Sequence, residues 1–395
     1  MIIPEQNDGA PEQSPPPEVR HRDELRFLRA ADPGTRPPGW QLTPRAIVTF
    51  ISGSRGELVK LPDDVPALEG LPRSMVIGEK FVGDRALVER AVVTLAGERG
   101  LLLVGEPGTA KSMLSELLSA AVSGTSALTV QGTAGTTEDH LRYGWNYAML
   151  LARGPSREAM VPSPVLTAMR AGAIARVEEI TRCLPEVQDA LVSILSDRRL
   201  AVPELAQGAD GLAHLEPSRP GFNVIATANL RDRGVSEMSA ALKRRFNFET
   251  VPPIGDPARE LALVKRQTEN VLGRVGQTLR VDDAVLEALV TAFRDLRQGR
   301  SGEGWTIERP STVMSTAEAV GVATALALHS NYFAGDRDPL SLLPGHLLGV
   351  VLKDDPKDRG RLLAYWDSAV KRRADAKQRV WMLLLELRNI LEEPT

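Results

Sequence analysis

Between residues 71 and 252, short apolar runs alternate with longer stretches whose apolar residues recur every three or four positions. The runs "GLLLVG", "ALTVQG", "GAIARVEE" and "GFNVIATAN" are bounded by glycine or polar residues, which predicts buried strands. Between them, "DRALVERAVVTLAG" and "SMLSELLSAAVSG" have the spacing of helices that pack by one face. Such alternation predicts a parallel sheet covered by helices. After "VPPIGDPARE" the strand signals stop. "DDAVLEALVTAFRDL" and "LLAYWDSAV…RVWMLLLELRNILEE" then predict amphipathic helices separated by Gly and Pro. In front, "DELRFLRAAD" predicts a short helix, and "RPPGWQLTPRAIVTFISG" a turn followed by a helix with Pro near its start. Residues 1–20 are rich in Pro, Glu and Gln and are expected to lack fixed structure. The division read from the pattern is a tail over 1–20, a short helical extension over 21–66, an α/β domain over 67–252 and an all-α domain over 253–395.

Composition narrows this picture. At 395 residues the chain has ample sequence for two or three domains, and its formal net charge is only −3. A near-neutral chain does not favour sequence-independent binding of nucleic acid. A single cysteine, Cys183, leaves no intrachain disulfide framework and fits a reducing compartment. The first residues have neither a basic region nor an apolar run of signal length, and no stretch offers about 18 uninterrupted apolar residues. A soluble cytoplasmic protein is the expectation. The histidines and the cysteine form no metal-ligand spacing. Cys183 has no nearby histidine to activate it and is expected to be an inert buried thiol. The late basic stretch "AVKRRADAKQR" is expected to be a solvated helix face.

Chemistry enters with "LLLVGEPGTAKSMLSELL", residues 101–118. It follows the phosphate-loop pattern G-x-x-x-x-G-K-[ST] except that Ala110 stands where the last glycine belongs. "LLLVG" supplies the strand, residues 106–110 the loop, and Lys111 onward the helix. Loop N–H groups and the positive end of the helix would cradle phosphates. Lys111 would reach the β/γ-phosphates of ATP, and the Ser112 hydroxyl would coordinate Mg²⁺. A methyl at 110 is tolerable if that residue is already helical, with negative φ.

A second strand, "GAIARVEEITR", ends in Glu178 and Glu179. Alone, two carboxylates at a strand end are an ordinary solvated feature. Beside a phosphate loop the first would hold the Mg²⁺ shell and the second would polarise the attacking water. The common pair is Asp-Glu. Glu178 is one methylene longer, so the ion is expected at a changed distance, through a water. Arg176 is unexpected in an apolar strand. A third strand ends in Asn229, whose amide can orient the lytic water. In "MSAALKRRFNFE", an arginine at a helix end can project into a neighbouring subunit's site and offset transition-state charge. Arg245 is the first choice for this role and Arg244 the second.

With these residues in place, the chain resembles an AAA+ ATPase of the MoxR family over about residues 71–327, roughly two thirds of its length. The resemblance implies a P-loop NTPase core, a parallel sheet with flanking helices, followed by an all-α lid. It places Walker A on Gly105, Glu106, Pro107, Gly108, Thr109, Ala110, Lys111, Ser112 and Met113, and Walker B on Glu178 and Glu179. Asn229 becomes sensor 1 and Arg245 the finger. "FVGDRALVERAV" resembles the segment that lines the adenine pocket, with Val82 and Gly83 at the base. Two insertions, residues 132–164 and the hairpin at 198–221, resemble the helix-2-insert clade. There they face a ring pore, and Tyr143, Trp145 and Tyr147 either grip a partner or pack the insert on its own body. One departure is Val313, where a sensor 2 arginine would fall; Arg309 just upstream either replaces it or does not.

The resemblance also implies a self-assembled ring, six-fold by analogy, that remodels or activates a protein partner carrying a von Willebrand factor A (VWA) domain. Two rival readings remain. One is a nucleic-acid motor of MCM or McrB type, against which stand the charge balance and the lack of a DNA-binding module. The other is a nucleotide-gated scaffold with little hydrolysis, for which Glu178 and Val313 speak.

Overall fold

A computed structural model describes residues 15–66, 68–205, 214–229, 236–333 and 338–392. The chain falls into two compact units. One comprises Met1–Gly105 with Ala110–Val251, the other Glu106–Thr109 with Pro252–Thr395.

In the first unit the chain is already helical at α1 (Pro17–Arg20), inside the stretch expected to lack structure. One long-range contact and one local residue hold it. The Glu18 carboxylate accepts hydrogen bonds from the Ser126 amide and hydroxyl at 2.9 and 2.8 Å, and Pro17 sets φ at the first helical position. Helix α2 (Arg22–Ala31) follows, then α3 (Pro44–Ser52), which Thr43 caps by accepting from the Ala46 amide. The extension is not purely helical either. Strand β1 (Leu58–Lys60) pairs antiparallel with β2 (Ser74–Val76), which lies beyond residue 66.

The chain then runs through α4 (Arg85–Ala96), β3 (Gly100–Val104), α5 (Lys111–Ser123) and β4 (Thr129–Gln131). The first insertion forms β5 (Tyr143–Trp145), α6 (Tyr147–Arg153) and β6 (Met160–Pro162), with β5 and β6 paired antiparallel. Next come α7 (Pro164–Ala171), β7 (Ile174–Glu178) and α8 (Pro185–Asp197). The second insertion is an antiparallel hairpin of β8 (Arg199–Val202) and β9 (His214–Pro217), whose tip, 206–213, lies outside the described residues. β10 (Asn223–Ala228), α9 (Ala240–Lys243) and β11 (Phe246–Thr250) complete the unit.

Five strands form one parallel sheet in the order β11-β3-β10-β7-β4. Every residue of β3, β7 and β10 is buried, which is why these strands read as near-continuous apolar runs. Alternate residues serve opposite faces. Leu102, Val177, Val224 and Ala226 belong to one core cluster; Leu101, Leu103, Ile174 and Ile225 belong to the other, with Leu114, Leu117 and Leu118 of α5.

The second unit is helical: α10 (Pro257–Arg274), α11 (Asp283–Gln298), α12 (Thr316–Tyr332), α13 (Pro339–Val351), α14 (Asp358–Tyr365), α15 (Lys371–Asp375) and α16 (Arg379–Glu386). Asp256, Asp282, Ser315 and Asp338 each begin a helix by accepting a hydrogen bond from an amide in its first turn. The basic stretch around α15 is exposed at Lys371, Arg372, Lys377 and Arg379, as expected of a solvated face, and departs from it at one residue. Arg373 is buried, pairs with Asp295 at 2.8 Å and Glu303 at 2.7 Å, and lies over the Trp381 ring. Two carboxylates and an aromatic face compensate its charge, which allows burial.

Candidate nucleotide-binding site

The parallel register puts the C-terminal ends of β3, β10 and β7 side by side. The glycine-containing loop leaves β3 there, and α5 starts from it. Within the loop Gly108 has φ +74° and Ala110 φ +65°, so both are left-handed. Left-handed residues alternating with others turn successive N–H groups inward, the geometry of an anion nest. The condition that residue 110 be helical, with negative φ, is therefore not met. Ala110 occupies the left-handed region that a glycine takes without strain, and it does so as the N-cap of α5. The Thr109 hydroxyl donates to the Glu106 carbonyl at 2.9 Å. Lys111 is buried and its Nζ donates to the Gly105 carbonyl at 3.1 Å. Ser112 is exposed and Met113 half-buried, both in the first turn of α5.

Glu178 ends β7 and is buried. One carboxylate oxygen accepts from the Ser112 hydroxyl at 2.7 Å and the Thr227 hydroxyl at 2.8 Å. The other accepts from the Ser115 hydroxyl and from Arg176 Nη2, the latter at 2.8 Å. Burial pushes the Glu178 carboxyl up, but the hydrogen bonds from Ser115 and Ser112, the Arg176 charge and the bond from Thr227 outweigh it, and the net shift is downward. The site therefore holds an ionised carboxylate in contact with the serine that follows the loop lysine. Oxygen donors of this kind suit a hard divalent cation such as Mg²⁺. Thr227 also accepts from the Glu179 amide at 2.9 Å.

Glu179 takes φ +52° and its carboxylate pairs with Arg182. Gly132, where the first insertion begins, donates its amide to the Glu178 carbonyl at 2.7 Å. A Cβ there would lie 2.4 Å from the Glu179 carbonyl oxygen, so only glycine lets the chain cross the strand end this closely. Asn229 follows the last residue of β10 and is buried between the ends of β3 and β7. Val82 and Gly83 lie in the segment leading into α4, with the Phe81 ring packed where a Gly83 Cβ would sit.

The arginine pair lies elsewhere. β11 pairs with β3 from Phe246↔Gly100 to Thr250↔Val104, and the Arg245 carbonyl accepts from the Gly100 amide at 2.9 Å. Arg245 thus flanks the N-terminal end of β3, about 13 Å from the loop end at roughly 3.3 Å per residue. Its Nε donates to the Ser196 hydroxyl at 2.8 Å and its Nη1 to the Ala241 carbonyl at 2.7 Å, whereas Arg244 is exposed. In the second unit, Val313 is half-buried ahead of α12, and the exposed Arg309 lays its stem over Gly299. Buried Glu260 gathers Arg294, Arg297 and Thr316 near the start of α12. Of the insertion aromatics, Tyr143 is buried and donates to Glu204 at 2.8 Å. Trp145 packs edge-on against it, and Tyr147 is exposed. Burial and the Glu204 bond push the Tyr143 hydroxyl up to about 12. Burial likewise pushes the Cys183 thiol up, which fits an inert side chain.

Thr227, Ser115 and Gly132 had not been singled out in the sequence. Ser115 had a signal, since it lies three residues after Ser112 on the same helical face. Thr227 had one too, two residues before Asn229 on a strand.

A parallel sheet with a phosphate-type loop after one strand, and a buried acid from another strand bonded to the loop's serine, defines a P-loop ATPase core of the AAA+ kind. Residues 100–246 match the AAA domain of the dynein-related subfamily, and residues 258–392 match the YehL-like AAA+ ATPase C-terminal domain. The chain belongs to the YehL-like family of AAA+ ATPases. It is 47% identical over 380 residues to the uncharacterized protein YehL of Escherichia coli (strain K12), covering 96% of this chain and 98% of that one. An uncharacterized protein of Staphylococcus haemolyticus is 27% identical over 64% of this chain and 89% of its own length. Among solved structures, NtrX from Brucella abortus in complex with ADP is similar with a TM-score of 0.45 at 14% identity, over 78% of this chain and 68% of that one. No helix among the described residues is long and apolar enough to cross a membrane.

Proposed function

We propose that the chain binds ATP with Mg²⁺ through residues 105–113 and hydrolyses it, working in the cytoplasm as a ring that remodels a protein partner. The observation that carries the reading is the Ser112–Glu178 contact of 2.7 Å beside Lys111 at the head of α5. Lys111 and the loop amides hold the phosphates, and Ser112 with Glu178 holds the ion. Mg²⁺, when bound, neutralises phosphate charge as it develops. Glu179 takes the proton of the attacking water, and Asn229 at the neighbouring strand end orients that water. Val82 and Gly83 line the base pocket. Arg245, with Arg244 as second choice, serves the next subunit's site, because its own loop lies at the other end of β3. A ring of six, a MoxR-type mode of action and a VWA-domain partner belong to this reading through the family resemblance, and exposed Tyr147 supplies a surface for a partner.

A second reading, a nucleotide-gated scaffold, draws on one feature. The Glu179 carboxylate is paired with Arg182, so one of its oxygens is already engaged within the chain. Steady-state phosphate release separates the two. Glu179→Gln is expected to retain ATP and slow turnover by roughly 10²-fold or more. Equal rates in the two proteins would replace hydrolysis by the scaffold reading.

A further inference from the structure

Arg176, buried inside β7, bears on the site through its contact with Glu178. On a strand, residues two apart share a face, so Arg176 and Glu178 both point toward α5 with Ile174. The register sets Thr129 opposite Arg176 and Ile225 beside it, which brings Thr227 alongside Glu178. The guanidinium is buried and every N–H has a partner. Nε donates to Ser115 Oγ at 3.1 Å; Nη1 to the Ser126 carbonyl at 3.0 Å and Thr129 Oγ1 at 3.1 Å; Nη2 to the Ser112 carbonyl at 3.3 Å and Glu178 Oε1 at 2.8 Å. One side chain therefore ties the first turn of α5, the strand bearing the acid, and the edge strand β4.

The position of Glu178 follows from this arrangement. A glutamate reaches farther than an aspartate, and its end must be fixed to present one oxygen to Ser112. Arg176 and Ser115 take one oxygen, which leaves the other for Ser112 and Thr227. The same arginine cancels the carboxylate's charge. At an ordinary acid of this kind, with an aliphatic residue two positions earlier, that negative charge would attract a divalent cation and repel bare phosphates. Here a buried cation lies within hydrogen-bond distance of it.

We propose that Arg176 is a positioning residue that supplies Glu178 with a built-in counter-charge, so that nucleotide binding at this loop depends only weakly on a divalent cation. The proposal rests on the reading of residues 105–113 as a nucleotide site. It concerns binding, and hydrolysis keeps its need for the ion.

The test is the affinity of a fluorescent ATP analogue, measured in excess magnesium chloride and in excess EDTA, for the full chain and two variants. The wild-type affinities are expected to differ by about tenfold or less. Arg176→Val combined with Glu178→Asp restores the ordinary aliphatic–acid arrangement and should widen the ratio by roughly 10- to 100-fold, the usual weight of a residue behind a metal ligand. Arg176→Lys keeps the charge and should hold the wild-type ratio, which a purely structural role for the five hydrogen bonds would not predict. A wild-type ratio above about 100-fold overturns the proposal without any variant having to fold. So does a double variant whose ratio equals the wild type's. The underlying site fails differently: Lys111→Ala would then leave affinity unchanged in both buffers.

Discussion

Replacing Ala110 by glycine should stabilise the protein, against the usual direction for glycine inside a helix. Ala110 has φ 65° and ψ 27°, where Cβ crowds its own carbonyl at a cost of about 1–2 kcal/mol. It is also an N-cap whose side chain makes no hydrogen bond, a position where glycine outranks alanine by roughly 0.5 kcal/mol. Two terms oppose the gain. Glycine frees the unfolded chain by about 0.4–1 kcal/mol. The half-buried methyl, packed against the core cluster that α5 shares, forfeits about 0.4 kcal/mol. Relief of strain wins by about 1 kcal/mol, a rise of roughly 2–4 °C in Tm for a unit of this size. The assay is thermal unfolding without nucleotide, followed by circular dichroism. Ala110→Val is the counter-variant: a β-branched residue at positive φ is a severe outlier and should lower Tm below wild type. If glycine lowers Tm, or valine matches alanine, residue 110 is not left-handed and the account of the loop is wrong.

Other expected outcomes follow from single contacts. Burial, then Lys80 and Arg20, hold the His21 imidazole down at about 4 from 6.5. The folded state keeps it neutral while the unfolded chain takes a proton, so stability is full above about pH 6.5 and is lost as pH falls toward 4. Urea unfolding at a series of pH values should show His21→Gln with a flatter loss across that window; identical slopes would refute it. Arg373→Met strands the buried Asp295 carboxylate and should cost about 3–5 kcal/mol by the same method, most of it recovered when Asp295→Asn is added. Gly132→Ala forces a Cβ against the Glu179 carbonyl and should cost about 1–3 kcal/mol, with turnover falling too because the strand end must shift. Mixing Arg245→Ala with Lys111→Ala subunits should restore some turnover, since certain interfaces pair an intact loop with an intact finger. Two variants that stay inactive together would remove the trans role of Arg245.

The sheet strands and the helices around them were readable because their apolar runs are short, fully buried and bounded by glycine. The strand order was not, since it depends on which crossover packs where, and no local pattern records that. Lys111, Ser112, Glu178 and Asn229 are candidates from residue type and strand context; the fold sets the first two at the head of α5 and the other two at neighbouring strand ends. The backbone at 110 escaped sequence reasoning because alanine's preference is helical, while the loop's path imposes the left-handed turn. Arg176 was visible as an oddity; its meaning needed Ser115, Thr129 and Thr227, which come from three other elements. Arg373 misled for a related reason. Its partners Asp295 and Glu303 lie some seventy residues away, so the stretch reads as a plain run of charge.

The place of β3 in the sheet has a consequence for how the chain is made. Its two neighbours, β10 and β11, begin at Asn223 and Phe246, so the strand that carries the phosphate loop is synthesised long before either partner exists. Val104 and Asn223 are 119 positions apart, and at about 5–20 residues per second the wait is roughly 6 to 24 seconds. Throughout it, "GLLLV" has both hydrogen-bonding edges open and no charge of its own, the kind of segment that pairs with other chains. Helices α4 and α5 are already available to cover its faces, but neither of its own sheet partners yet exists to cover its edges. Fragments that end before residue 223 should therefore collect in aggregates during translation, whereas fragments that run past Thr250 should stay in solution.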